Sequence, residues 1–332
     1  MNFPITVIIP CHNAGPWLAS TLASVAAQTH KPNAVILIAD RCSDDSVKIA
    51  TEFPLTIDII ETDFGNAGPA RNRGIHAATT QWVALLDADD HWLPDHLLNA
   101  AGVLSDTEHV AYCAGHHFMD NDDNILPLTP DYWQGWRDVH TGLNSDDYVQ
   151  LMDQKMHFGH STVIYSRKRL LDVGCFDPTQ LRRHDLDLWL RMIHQQTWAY
   201  HPGPAAAYRN QTPGSISRNT VEVAYYALRA LARNQLAMNH RIYDSIVAGH
   251  AQRAMSVAFH DADATWAKKL RTLAMPHLTG KYKYCYKIMG ICPPVFKMLI
   301  GLKRATLGRL LTCLRHWRQR KAARRWHTQE PK

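Results

Sequence analysis

In the first ninety residues four apolar runs of strand length alternate with segments of helical spacing. That rhythm confines the chain to an α/β sheet of mostly parallel strands joined by crossover helices. The runs are Ile5 to Ile9, Ala34 to Ala39, Thr56 to Glu61 and Trp82 to Leu86. Between the first two, Trp17, Leu18, Leu22 and Val25 recur on one helical face, and short helices are expected over Asp45–Glu52 and Ala70–Ala78.

Open sheets of this kind bind ligands beyond the carboxyl ends of their strands. There the sequence places Pro10, Cys11, His12 and Asn13 after the first run, Asp40, Arg41 and Ser43 after the second, and Asp87, Ala88 and Asp89 after the fourth. Two carboxylates side by side make a hard oxygen site for a divalent cation of the kind that handles phosphates. The same string also suits an Asp-rich turn leading into a helix near Pro94. A dinucleotide fold requires Gly-x-Gly-x-x-Gly after the first strand; the turn Pro10 to Gly15 has one glycine, and no Walker sequence occurs.

Taken together, the rim resembles the nucleotide-sugar site of the family 2 glycosyltransferases, which have the GT-A fold. The matching blocks are Val7 to Asn13 with Leu22 to Gln28 behind it, Ala39-Asp40 with Ser43-Asp44-Asp45, and Gly65 to Gly68 leading to Ala70-Arg71-Asn72-Arg73-Gly74. Leu85 to Asp90 and Asp185 to Arg191 complete the set, and the resemblance runs over roughly residues 4 to 218. It implies a Rossmann-like nucleotide-binding half over 1–114, an acceptor half over 115–218, and a helical carboxyl-terminal region over 219–332.

The resemblance also assigns roles. Pro10, His12, Asn13 and Ala88 line the donor site, and Asp40 accepts from the uracil imide; an Asx-turn before Ser43 is the plainer reading of Asp40. Arg71, at the start of a helix, faces the diphosphate or is simply a solvated arginine. Asp87 contacts the ribose region and, with Asp89, holds Mn2+ or Mg2+, which neutralises the leaving nucleoside diphosphate. Asp185 is the general base, or else caps the helix it opens. The family's base is normally preceded by Glu; here His184 stands there, which lowers the pKa expected of Asp185 and gives His184 a share in proton handling. Tyr208 to Ser217 resembles a loop that closes over the diphosphate, with Arg209 and Ser217 as its candidates.

Between the halves, His116, His117, His157 and His160 match no metal-ligand spacing and read as core or acceptor-pocket residues, beside Trp133 and Trp136. The seven cysteines include no Cys-x-x-Cys pair and read as reduced packing residues. Met1 is followed almost at once by a strand, so no leader is expected and the chain is read as starting in the cytosol.

Charge is uneven. From Lys281 onward there are fourteen Lys or Arg against one acid, Glu330, so this tail carries +13 and the preceding 280 residues −7 of the total +6. Leu302, Leu307, Leu310, Leu311 and Leu314 interleave with Lys303, Arg304, Arg309, Arg315 and Arg318, a pattern suited to the anionic inner face of the plasma membrane. A solvated tail or a partner-docking helix is the alternative. An acidic body without a nucleic-acid module argues against nucleic acid.

The sequence thus predicts a metal-dependent inverting glycosyltransferase using a nucleotide sugar, a UDP-sugar, on a glycan or lipid-linked acceptor. The rivals are a sugar-nucleotide nucleotidyltransferase, which should show a Gly-rich, Arg-bearing first turn, and a non-catalytic binding subunit, which should lack Asp89 or Asp185.

Overall fold

A computed structural model describes residues 3–105, 108–126, 142–153, 158–209, 221–238, 241–260, 264–278 and 283. The chain divides into two compact units, Met1–Ala274 and Met275–Lys332. In the second, the described residues include a short 3-10 turn, Met275–His277. The basic tail, Ser217, Trp133, Trp136 and His157 lie outside the described residues.

The first unit opens with β1 (Ile5–Cys11), α1 (Gly15–Ala26), β2 (Ala34–Asp40), α2 (Ser46–Glu52), β3 (Asp58–Thr62), α3 (Ala67–Ala77) and β4 (Trp82–Leu85). There follow β5 (His91–Trp92), α4 (His96–Leu104), β6 (Ala111–Met119), β7 (Ile125–Leu126), β8 (Gly142–Leu143) and α5 (Ser145–Asp153). Next come β9 (Ile164–Ser166), α6 (Arg167–Asp172), α7 (His184–Ile193) and β10 (Trp198–Arg209), then three helices, α8 (Val221–Met238), α9 (Arg241–His260) and α10 (Ala264–Ala274).

The main path of the sheet runs β3-β2-β1-β4-β9-β6-β10-β5. From β3 to β4 every pairing is parallel. β9 then runs antiparallel to both β4 and β6, and β6 and β10 are parallel again. The α/β reading holds, with its parallel character concentrated in the amino-terminal half. Ile5, Val7, Ile8 and Ile9 are fully buried, as expected for a strand covered on both faces. Leu18, Leu22 and Val25 put the inner stripe of α1 into the same core.

Helix α3 begins three residues earlier than its spacing suggests, because Asn66 caps it: Gly68 N–H donates to Asn66 Oδ1 at 3.0 Å. Arg71 consequently sits in the second turn. Gly74 lets this helix lie close on β1, since a Cβ there would fall on the Ile8 side chain.

Candidate active site

The Asp87–Asp90 turn is held from three sides. Asp90 N–H closes it onto Asp87 O at 3.1 Å, and Thr21 Oγ1 of α1 donates to Ala88 O at 2.9 Å. Asp90 is buried and accepts from Ser161 Oγ at 2.5 Å and Arg209 N–H at 3.0 Å. Burial, reinforced by the charges of Asp89 and Asp87, pushes its carboxyl well above the ordinary range. Asp90 therefore shapes the turn, leaving Asp87 and Asp89 half-buried on its rim.

Arg209, expected on a loop, is instead the last residue of β10 and is buried. It donates to Asp89 O at 3.0 Å and also bonds Asp120 O and the Asp123 carboxylate. It ties the acid turn to the hairpin after β6.

Arg71 joins this turn to the segment bearing the expected base. Its Nη2 donates to Asp87 Oδ1 at 2.5 Å and its Nη1 to His184 Nε2 at 2.6 Å, with the guanidinium 5.7 Å from the Phe176 ring centroid. Arginine can only donate, so His184 Nε2 accepts and the ring is neutral, its proton on Nδ1. Burial and the Arg71 charge lower the His184 pKa to about 3. Asp87 is pushed up by burial, but Arg71 and then His160 outweigh this and hold it below the ordinary carboxylate value. The His160 ring lies 6.4 Å from that of His184, and its pKa is lowered by burial to about 4.

Asp185 occupies the first turn of α7, half-buried, with Oδ1 accepting from Leu186 N–H at 2.9 Å. Burial raises its pKa; the histidine pair, Arg183 and that N–H outweigh the rise and leave it below the ordinary value. The second acid of the block, Asp187, plays a different part. It is fully buried, 2.9 Å from Arg191 Nη2 and 3.4 Å from Arg233 Nη1.

Arg233 belongs to α8, and that helix braces the approach to Asp185. Arg229 and Arg233 both pair with Asp177, Arg182 pairs with Glu222 at 3.4 Å, and Gln180 Nε2 donates to Tyr226 O at 2.7 Å. Arg229 and Arg233, four apart on one side of this helix, were the available signal in the sequence.

On the expected donor side, Asp40 is buried and makes no Asx-turn toward Ser43. Its Oδ1 accepts from Thr62 Oγ1 at 3.2 Å and Phe64 N–H at 2.6 Å, and its Oδ2 from Asn66 N–H at 3.0 Å. It organises the loop into α3. His12 is exposed, with Nδ1 2.7 Å from Asp40 O, while Asn13 Oδ1 accepts from Ser43 N–H at 2.8 Å. Pro10 is half-buried at the end of β1. His116 packs edge-on against Phe118 and Tyr208, whereas His160 belongs to the Arg71 cluster.

Among the described residues no group of three or more His, Cys, Asp or Glu could enclose a metal ion. Two rim carboxylates on one turn fit instead an Mg2+ or Mn2+ ion that keeps waters and takes further ligands from substrate phosphates.

Sheet order and rim define an open α/β protein whose polar groups converge at one end. A sequence model of glycosyl transferase family 2 matches residues 6–174, half of the chain, and the chain belongs to that family. An uncharacterized glycosyltransferase of Rickettsia prowazekii (strain Madrid E) is 25% identical over 193 residues, which is 57% of this chain and 58% of that protein. The match thus spans little more than half of that relative. The UDP-Glc:alpha-D-GlcNAc-diphosphoundecaprenol beta-1,3-glucosyltransferase WfaP of Escherichia coli is 23% identical over 241 residues, 72% of this chain and 89% of its own. In fold, the chain is similar to S. aureus TarS 1-349 in complex with UDP-GlcNAc, with TM-score 0.61 and 15% identity over 83% of this chain and 82% of that one.

Proposed function

We propose that the chain is an inverting glycosyltransferase moving a sugar from a UDP-sugar to a hydroxyl of a glycan or lipid-linked acceptor. The observation that carries this reading is the Arg71 bridge, which joins the Asp87 turn and the His184–Asp185 segment in one hydrogen-bonded network. The acceptor hydroxyl attacks the anomeric carbon as the bond to the diphosphate breaks, and its proton passes to Asp185. A carboxylate held below its ordinary pKa is ionised at neutral pH and ready to accept that proton. Asp89 and Asp87 would hold Mn2+ or Mg2+, which supplies charge neutralisation for the leaving diphosphate. Pro10, His12, Asn13, Asp40 and Ala88 shape the nucleoside side, and Arg71 orients Asp87.

A panel of nucleotide sugars with Mn2+, read as nucleoside diphosphate release with and without membrane lipid extract, tests donor and acceptor together. A nucleotidyltransferase would instead release pyrophosphate from a nucleoside triphosphate and a sugar phosphate. Asp185→Asn is expected to lower kcat by roughly 10²–10⁴-fold while UDP affinity stays within about twofold; normal turnover in this variant rejects the base.

We further place the enzyme on the anionic inner face of the plasma membrane through its basic tail. The relative WfaP, whose name specifies a diphosphoundecaprenol acceptor, supports this reading, as does the tail's charge. No helix among the described residues is long and apolar enough to cross a membrane. Binding to anionic vesicles that is lost in high salt is the expected result, and binding to neutral vesicles alone rejects the electrostatic attachment.

A further inference from the structure

Two thiols meet beside the proposed donor site. Cys11 ends β1 and is buried at 1% exposure, whereas Cys42 lies two residues past β2 and is half-buried. Their sulfurs are 3.9 Å apart, and the Cys42 thiol also donates to Cys11 O at 3.3 Å. Because β1 and β2 are parallel neighbours, a bond between these sulfurs would join the end of β1 to the turn that follows β2. Cys42 is the more exposed residue of the two and Cys11 the more deeply buried.

We propose that Cys11 and Cys42 are a redox-switched pair, in which oxidation by a peroxide joins the two sulfurs and weakens nucleotide-sugar binding. The inference rests on the donor-site reading above. The thiol contact with Cys11, aided by Asn13 N–H, overcomes burial and lowers Cys42 to about 6, while the same contact and burial push Cys11 up. Cys42 is therefore the nucleophile and Cys11 the resolving thiol. The Cys42 thiolate attacks the peroxide O–O bond and becomes a sulfenic acid as water forms. The Cys11 sulfur then attacks that sulfenic sulfur, and the hydroxyl leaves with the Cys11 proton as a second water. Hydrogen peroxide takes up two electrons, and the two thiols supply them.

A disulfide requires a sulfur separation of about 2.05 Å, roughly half the present one. Cys11 is fixed in the sheet, so the turn over residues 41–43 must move. That turn is bonded to its surroundings: Ser43 N–H and Oγ donate to Asn13 Oδ1, and Arg41 N–H donates to Thr62 O at 3.0 Å. The same movement pulls on Asp40 O, which is the partner of His12. Closing the pair displaces the residues assigned to the nucleoside.

The test uses the full chain, treated with hydrogen peroxide, mapped as unreduced peptides and titrated with UDP and Mn2+ by calorimetry before treatment, after it and after reduction. The expected result is a peptide joining residues 11 and 42, a UDP Kd raised at least fivefold, and recovery with reductant. Cys42→Ser, with Cys42→Ala as a second variant should the first misfold, is expected to bind UDP normally and ignore peroxide. Absence of the 11–42 peptide, an unchanged Kd once it has formed, or the same loss in either variant overturns the proposal. Should the reduced protein bind no UDP, the donor-site reading fails, and with it the claimed effect on binding, while the peptide map still decides the pairing.

Discussion

At the scale of single residues, the site depends on groups that each serve two neighbours. Arg71 holds Asp87 with one nitrogen and His184 with the other. A lysine has one ammonium on a flexible stem and cannot span both, so Arg71→Lys is expected to lower kcat/KM by about 10–100-fold, read as nucleoside diphosphate release. Equal rates in the two proteins would show that the bridge does not position the site. Asp40 is likewise shared among three donors from Thr62, Phe64 and Asn66. Asp40→Ala leaves them unpartnered and should cost about 1–3 kcal/mol in chemical denaturation as well as donor affinity. A loss of affinity with unchanged stability would mean that Asp40 serves the nucleotide alone.

At the scale of elements, the positions of α3 and α8 decide where the charged groups stand. Gly74→Ala places a methyl against Ile8 and should destabilise the chain by about 1–3 kcal/mol, with reduced activity because α3 carries Arg71. A neutral effect on the urea midpoint would show that the helix has room to shift. The amino-terminal elements were legible in the sequence because a doubly covered parallel strand is continuously apolar and ends abruptly, as Trp82 to Leu86 shows. The positions of Asp40 and Asp87 followed from the ends of those strands and from the resemblance, and that of Asp185 from the first turn of the later helix it opens. Their partners did not, because Arg71 meets His184 across more than a hundred residues of chain and Arg209 reaches Asp89 across a similar span. Long-range polar contacts leave no period in a sequence. The antiparallel insertion of β9 between β4 and β6 was also invisible, since three residues of strand carry too little pattern to register.

For the whole molecule, burial of neutral histidines couples stability to pH. His96, His160 and His184 fall from an ordinary 6.5 to about 3, 4 and 3, chiefly through burial. Between pH 6.5 and about 4 the unfolded chain takes up protons at these sites that the folded chain refuses, so stability falls as pH falls. Each fully titrating site contributes a slope of about 1.4 kcal/mol per pH unit. Asp90 acts in the opposite sense, because its raised pKa lets the folded state hold the extra proton. The net expectation is a lower urea midpoint at pH 5 than at pH 7, with a shallower dependence in His96→Leu; equal midpoints would mean that these rings are protonated in the fold. Three non-glycine residues of the rim, Asn13, Arg41 and Arg183, have φ of 52°, 54° and 53°, a left-handed conformation costing roughly 1–2 kcal/mol each. Each turn is bonded to its neighbours: Ser43 N–H donates to Asn13 Oδ1, Arg41 N–H to Thr62 O, and, beside Arg183, Gln180 Nε2 to Arg182 O and to Tyr226 O of α8. Each of these bonds therefore holds a backbone that would otherwise relax, so its loss would free the turn it closes before any other part of the rim.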